Sequence, residues 1–89
     1  MAEVRLDAML REYSAPTRTE TDATSVESLL TDLESRYPRL RLRLRDEAGT
    51  IRRFVRVFVN GRSIEELTGL TTPLGASDRV EILHSIQGG

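Results

Sequence analysis

At 89 residues the chain has the size of one domain with a modest core, large enough to fold without disulfide or metal staples. A 38% hydrophobic share, 30% charged residues and a net charge of −1 describe an ordinary globular surface, with no strong bias toward polyanions or polycations. The absence of cysteine excludes disulfide frameworks, thiolate metal sites and a thiol nucleophile, and the absence of lysine excludes Schiff-base chemistry on a side-chain amine.

Val4, Leu6, Ala8 and Leu10 alternate with Arg5, Asp7 and Met9, so the period-2 pattern predicts a first strand over Glu3–Leu10. Ser14-Ala15-Pro16 is a turn signal, and the alternating threonines of Thr17–Thr21 predict a second, polar strand at a sheet edge, closing an antiparallel hairpin. Val26, Leu29, Leu30, Leu33 and Tyr37 then fall at i, i+3, i+4, i+7 and i+11, the apolar stripe of a helix. Thr24 with Glu27 reads as its capping box, and Pro38 as its stop.

Arg39–Arg45 is ambiguous. Its Arg-Leu alternation suits a strand, while the i, i+4 spacing of Leu40 and Leu44 suits a helix. After the loop Asp46–Thr50, Phe54–Val59 forms the strongest strand signal in the chain, ended by the tight-turn dipeptide Asn60-Gly61 and returned through Arg62–Ile64. A looser stretch leads to a Gly75–Asp78 turn, and Arg79–Leu83 predicts a last strand with Val80 and Ile82 facing one way. The order predicts an α+β domain over 1–83, a mixed sheet packed on one main helix, with a flexible arm over 84–89.

That arm ends in Gly88-Gly89. Two glycines cannot hold a fold together, but with no side chains they can thread a narrow channel. Taken alone, they read equally well as a frayed end.

The strand hairpin, the capped helix, the Phe-Val-Arg-Val-Phe-Val-Asn-Gly hairpin, the Thr72-Pro73-Leu74 loop, the Gly-x-x-Asp turn and the terminal Gly-Gly occur in the order seen in ubiquitin-like sulfur carriers. The chain resembles that family along essentially its whole length, most closely the molybdopterin synthase small subunit and the cysteine-biosynthesis carrier, and less so the shorter thiamine carrier. The resemblance implies a β-grasp fold, and a short helix over Arg39–Arg45. It also implies that the carboxylate of Gly89 is adenylated by an ATP-dependent, ubiquitin-activating-type adenylyltransferase and converted to a thiocarboxylate. A biosynthetic synthase for molybdopterin, cysteine, thiamine or a sulfur-containing natural product then takes the sulfur. ATP and magnesium would belong to the activating enzyme, and the chain would be a carrier with no cofactor of its own rather than an enzyme. Gly88, Gln87 and Ile86 would thread the partner's channel. Ile86-Gln87, where relatives often have small apolar residues, and Leu42, where they are often polar, depart from the family pattern.

Alternation along the strong strand places Val55, Val57 and Val59 toward the helix, and leaves Phe58 and Arg56 with Glu81 and Leu83 on the open face, the expected docking surface. A ubiquitin-like modifier, joined through the same carboxyl to target lysines, is the alternative function. Nucleic-acid binding is a weaker rival: eight of thirteen arginines lie between Arg36 and Arg56, but the overall charge is slightly acidic. His84, the single histidine, lacks any neighbouring nucleophile in the sequence and reads as a tail side chain, and Glu65-Glu66 as solvated surface. Without an apolar run of spanning length or a basic leader before an apolar block, neither membrane association nor export is expected, and the expected location is cytoplasmic.

Overall fold

A computed structural model describes residues 1–13 and 15–84. Its strands are β1 (Ala2–Leu6), β2 (Arg18–Thr21), β3 (Val55–Val59), β4 (Arg62–Ser63) and β5 (Arg79–His84), with one helix, α1 (Val26–Arg36), between β2 and β3. The sheet order is β2-β1-β5-β3-β4. β5 runs parallel to β1 and antiparallel to β3, so the last strand lies at the centre and the polar β2 at an edge, as its threonines imply.

The core is built by two interlocking periodicities. Every second residue of β1, β3 and β5 is buried, including Val4, Leu6, Val55, Val57, Val59, Val80 and Ile82. They meet Val26, Leu29, Leu30 and Leu33 of α1, all fully buried. Each such side chain contributes about 1.5–3 kcal/mol on leaving water, so this one layer dominates the stability of the domain.

Three local expectations are corrected. β1 ends at Leu6 rather than Leu10, because Asp7 turns the chain: its Oδ1 accepts the Met9 N–H at 3.0 Å, and its carbonyl accepts the Leu10 N–H at 2.9 Å. A short-range side-chain bond wins over the alternating pattern, and Leu10 reaches the core from a 3-10 segment, Ala8–Tyr13.

The helix cap lies one residue later than Thr24. Ser25 Oγ accepts the Ser28 N–H at 3.1 Å, and Ser28 Oγ accepts the Ser25 N–H at 3.2 Å. The reason is tertiary: the Thr24 carbonyl accepts the Leu74 N–H at 2.9 Å, and Val26 N–H donates to Thr72 at 3.0 Å, so the Thr-Pro-Leu loop clamps the chain beside Ser25.

Arg39–Arg45 forms neither a strand nor a regular helix. A 3-10 turn, Pro38–Leu40, runs on into turns that bury Leu40 and Leu44 together, while Leu42, at φ +63°, is left 50% exposed. The i, i+4 spacing was the informative signal. Arg45 then clamps the segment to α1 through a two-pronged pair with Glu34, at 3.1 Å and 2.8 Å.

Asn60 at φ +52° and Gly61 at φ +85° make the primed turn that joins β3 to β4. Asn60 Nδ2 also donates to Asp78 Oδ1 at 2.9 Å, and Asp78 Oδ2 accepts the Gly75 N–H at 2.7 Å, tying this hairpin to the turn that launches β5.

The shifted cap generates a paired test. Ser25→Ala should cost about 1 kcal/mol in urea unfolding, whereas Thr24→Ala, on an exposed side chain outside the box, should stay within about 0.5 kcal/mol of wild type.

Candidate functional site: the open sheet face and the root of the arm

The face of the sheet opposite α1 carries the residues expected for docking. Phe58 stands opposite Glu81, and Arg56 opposite Leu83, across the β3–β5 pair. Phe58, Arg56 and Glu81 are half-buried, while Leu83 is 43% exposed. Arg56 makes only a loose pair with Glu65 at 3.5 Å, both side chains well in solvent, which leaves its charge available. Toward β1 and β2 the face becomes ionic: Glu3 is approached by Arg18 at 3.2 Å, Arg79 at 3.4 Å and Arg5 at 3.7 Å. An apolar spot of phenylalanine and leucine near the end of β5 thus grades into a charged field near its beginning.

Gly89, Gly88, Gln87 and Ile86 lie outside the described residues. What the structure does show is the point from which they depart. β5 runs one residue beyond Leu83, and His84 pairs with Val55. Its surroundings correct the expectation of a tail side chain free to touch a partner. His84 N–H donates to Asp7 Oδ2 at 3.0 Å, its ring lies 4.9 Å from that of Phe54, and Arg43 Nη2 meets its Nε2 at 2.8 Å.

Arg43 is itself held between two rings, 5.0 Å from the centroid of Tyr13 and 4.9 Å from that of Phe54. Asp7, Tyr13, Arg43, Phe54 and His84 converge from separate parts of the chain. No spacing rule connects them, and reading the sequence did not single out this cluster.

The electrostatics of the root are readable. Two backbone N–H groups, that of His84 foremost and that of Met9, hold the Asp7 carboxyl below the usual aspartate range against the opposing effect of burial. Among the described residues no group of histidine, cysteine, aspartate and glutamate could hold a metal ion. Glu65 and Glu66 are exposed in a 3-10 turn, as expected of solvated acids. Nor does the arginine-rich stretch form a free cationic stripe: Arg36 binds Asp32 at 2.9 Å, Arg45 binds Glu34, and Arg52 Nε donates to the Leu42 carbonyl at 2.6 Å.

A mixed five-stranded sheet with the chain's last strand at its centre, folded over one helix, is the β-grasp of ubiquitin-like proteins. Residues 4–89 match the model of the ThiS family, and the chain belongs to that family of ubiquitin-like sulfur carriers. It is 28% identical over 89 residues to the sulfur carrier protein CysO of Mycobacterium tuberculosis, covering 97% of this chain and 96% of that one. It is 35% identical over 91 residues to small archaeal modifier protein 3 of Haloferax volcanii, covering 98% and 97%. Among solved structures it superposes with a TM-score of 0.87 and 27% identity on a chain of the Amycolatopsis orientalis BexX/CysO complex, over the full length of both. No helix among the described residues is long and apolar enough to cross a membrane.

The Asp7 carboxylate makes a pH test available. Because its folded value is depressed, its contribution is fully present above the unfolded aspartate value and is lost as pH falls through the folded one. Asp7→Asn should therefore be less stable than wild type at neutral pH by at most about 1 kcal/mol, given solvent screening at this half-buried carboxylate. The gap should close as pH falls below the ordinary aspartate range, in urea unfolding followed across pH.

Proposed function

We propose that this protein is a sulfur carrier whose reacting group is the carboxylate of Gly89. The observation that carries the reading is the placement of β5: the central strand of the sheet ends at His84 and leads into Ser85-Ile86-Gln87-Gly88-Gly89. Five residues can span at most about 17 Å, enough to bring a carboxyl into another protein's active site while the open face stays docked on that protein's surface. Membership of the ThiS family and the sulfur-carrier relatives support the same reading.

The chemistry asks little of the carrier. A carboxylate is a poor acyl electrophile. In the proposed first step the Gly89 carboxylate attacks the α-phosphorus of ATP on a ubiquitin-activating-type adenylyltransferase, and pyrophosphate leaves. A sulfur nucleophile then attacks the acyl carbon, AMP departs, and a thiocarboxylate remains for a sulfur-accepting synthase. ATP and magnesium are the activating enzyme's, and the carrier supplies a docking face and a slim terminus. Gly88 lets the chain pass a narrow channel, and Gln87 and Ile86 contact its walls. Phe58 and Leu83, with Arg56 and Glu81 around them, form the docking patch, in the manner of a buried aromatic anchor ringed by polar groups. The Amycolatopsis orientalis BexX/CysO complex, in which a chain similar to this one is held by another protein, supports docking on a partner.

Deleting Gly89 should abolish ATP–pyrophosphate exchange by the activating enzyme while leaving the fold intact. A carrier activated in cells should show a C-terminal mass gain of about 16 units, oxygen replaced by sulfur, and undiminished exchange by the deletion would overturn the reading. A modifier role is the second reading, favoured by the 35% identity to small archaeal modifier protein 3. It would instead leave Gly-Gly remnants on target lysines in digests of cell extracts. This chain has no lysine on which to extend itself.

Phe58→Ala should melt like wild type, since Phe58 lies off the core layer, but should bind the activating enzyme or synthase about 1–3 kcal/mol more weakly in calorimetric titration.

A further inference from the structure

The two outer edges of the sheet are finished differently. On β2, the Leu6 N–H donates to the Thr17 carbonyl, so by alternation the backbone groups of Arg18 and Glu20 point away from β1. Arg36 closes that edge: its guanidinium donates to the Glu20 carbonyl at 2.8 Å and to Thr19 Oγ1 at 3.0 Å. An edge carbonyl bonded to the protein's own side chain is a poor template for another strand.

The opposite edge is covered only in part. β4 pairs with β3 at Phe58 and Val59 alone, after which the chain turns away through Ile64–Glu66. Asn60 N–H donates to the Arg79 carbonyl, so by the same alternation Phe58 and Arg56 bond toward β5 while Val57 and Val55 turn their backbone groups outward. Of these, the Val55 N–H is taken by the Arg52 carbonyl at 2.9 Å. Here the edge opens into a groove of about 410 Å³, with Val55, Val57 and Ile64 as its floor and the half-exposed Ile51 and Leu70 as its walls. Its rim is cationic. Arg52, Arg53 and Arg56 line it with one acid, Glu65, and among the described residues neither Arg52 nor Arg53 is in an ion pair.

We propose that this edge binds an extended segment of a partner protein, one that alternates aliphatic and acidic residues, by strand addition to β3. On the added strand, side chains turned to the α1 side enter the groove beside Val57 and Leu70, and those on the other side pass Arg56. Carboxylates on the segment meet a rim of three arginines and one acid, so the charges are complementary. A second copy of this chain would bring the same arginines and is opposed by like charge. A small anionic amphiphile would use the apolar floor and the rim but leave the outward backbone groups unmatched. The inference goes beyond the sulfur-carrier reading and does not depend on it.

The test titrates the full nitrogen-15-labelled chain with three hexapeptides: one alternating valine and glutamate, the same with lysine for glutamate, and the glutamate peptide with every backbone nitrogen methylated. The valine-glutamate peptide should shift the amide signals of Val55, Val57 and Leu70, with an affinity that falls as salt is raised. The lysine and methylated peptides, lacking the charge match and the backbone donors, should each bind at least about 10-fold more weakly. Arg53→Glu, a change on an exposed side chain, should melt like wild type and weaken the valine-glutamate peptide about 5- to 20-fold. No binding of that peptide, shifts confined to Leu83 and the open face or to β2, or equal binding of the lysine or methylated peptide would overturn the proposal. So would octanoate shifting the groove amides where the valine-glutamate peptide does not, which would assign the groove to small anionic amphiphiles.

Discussion

The central position of β5 is the constraint on which the rest depends. A strand paired parallel to β1 on one side and antiparallel to β3 on the other has both backbone edges satisfied, and its inward residues Val80 and Ile82 are sealed under α1. Such a strand cannot be peeled away without opening the core. The segment that leads to the terminus is therefore anchored, as far as His84, in the most protected part of the fold.

The arginines show how the same residue type can do different work within one chain. Arg45 pins its own turn to α1 through Glu34, and Arg36 at the end of α1, braced by Asp32 on the same helix, donates to Thr19 Oγ1 and the Glu20 carbonyl of β2. Arg43 stacks on two rings and reaches an imidazole. Arg5, Arg18 and Arg79 gather around the carboxylate of Glu3 on the open face, where Glu20 stands opposite Glu3 across the β1–β2 pair. The planar, multiply donating guanidinium suits all of these settings, whereas a lysine would serve few of them. A compositional feature that suggested polyanion binding is absorbed in large part by internal structure.

Docking and chemistry are divided in space. The open face offers area and charge near the end of β5, and the reacting carboxyl of the proposed mechanism lies five residues further on. Between the two stands a cluster whose rings, Tyr13 and Phe54, pack against the edge of the hydrophobic core while its polar groups gather at His84. Its polar atoms are only partly satisfied, and buried groups in that condition are costly to keep. Their position at the root of the arm sets the cluster apart from the rest of the fold.

Much of this protein was legible in its residues. The alternation of Val55, Val57 and Val59 set the inner face of β3, the 3.6-residue stripe from Val26 to Leu33 set the buried face of α1, and Asn60-Gly61 set the hairpin, because each signal is local and each element is short enough for local rules to govern it. The ordered motifs also pointed to the β-grasp and to the family. What residues alone did not decide were the places where one interaction overrides a competing local pattern. The Thr-Pro-Leu loop moves the helix cap from Thr24 to Ser25, the Asp7 turn ends β1 four residues early, and the burial of Leu40 with Leu44 rolls the Arg-Leu repeat into turns. The convergence of Asp7, Arg43 and Phe54 on His84, with Tyr13 behind Arg43, lay wholly beyond sequence reasoning, since residues up to 77 positions apart become neighbours only when β5 inserts between β1 and β3.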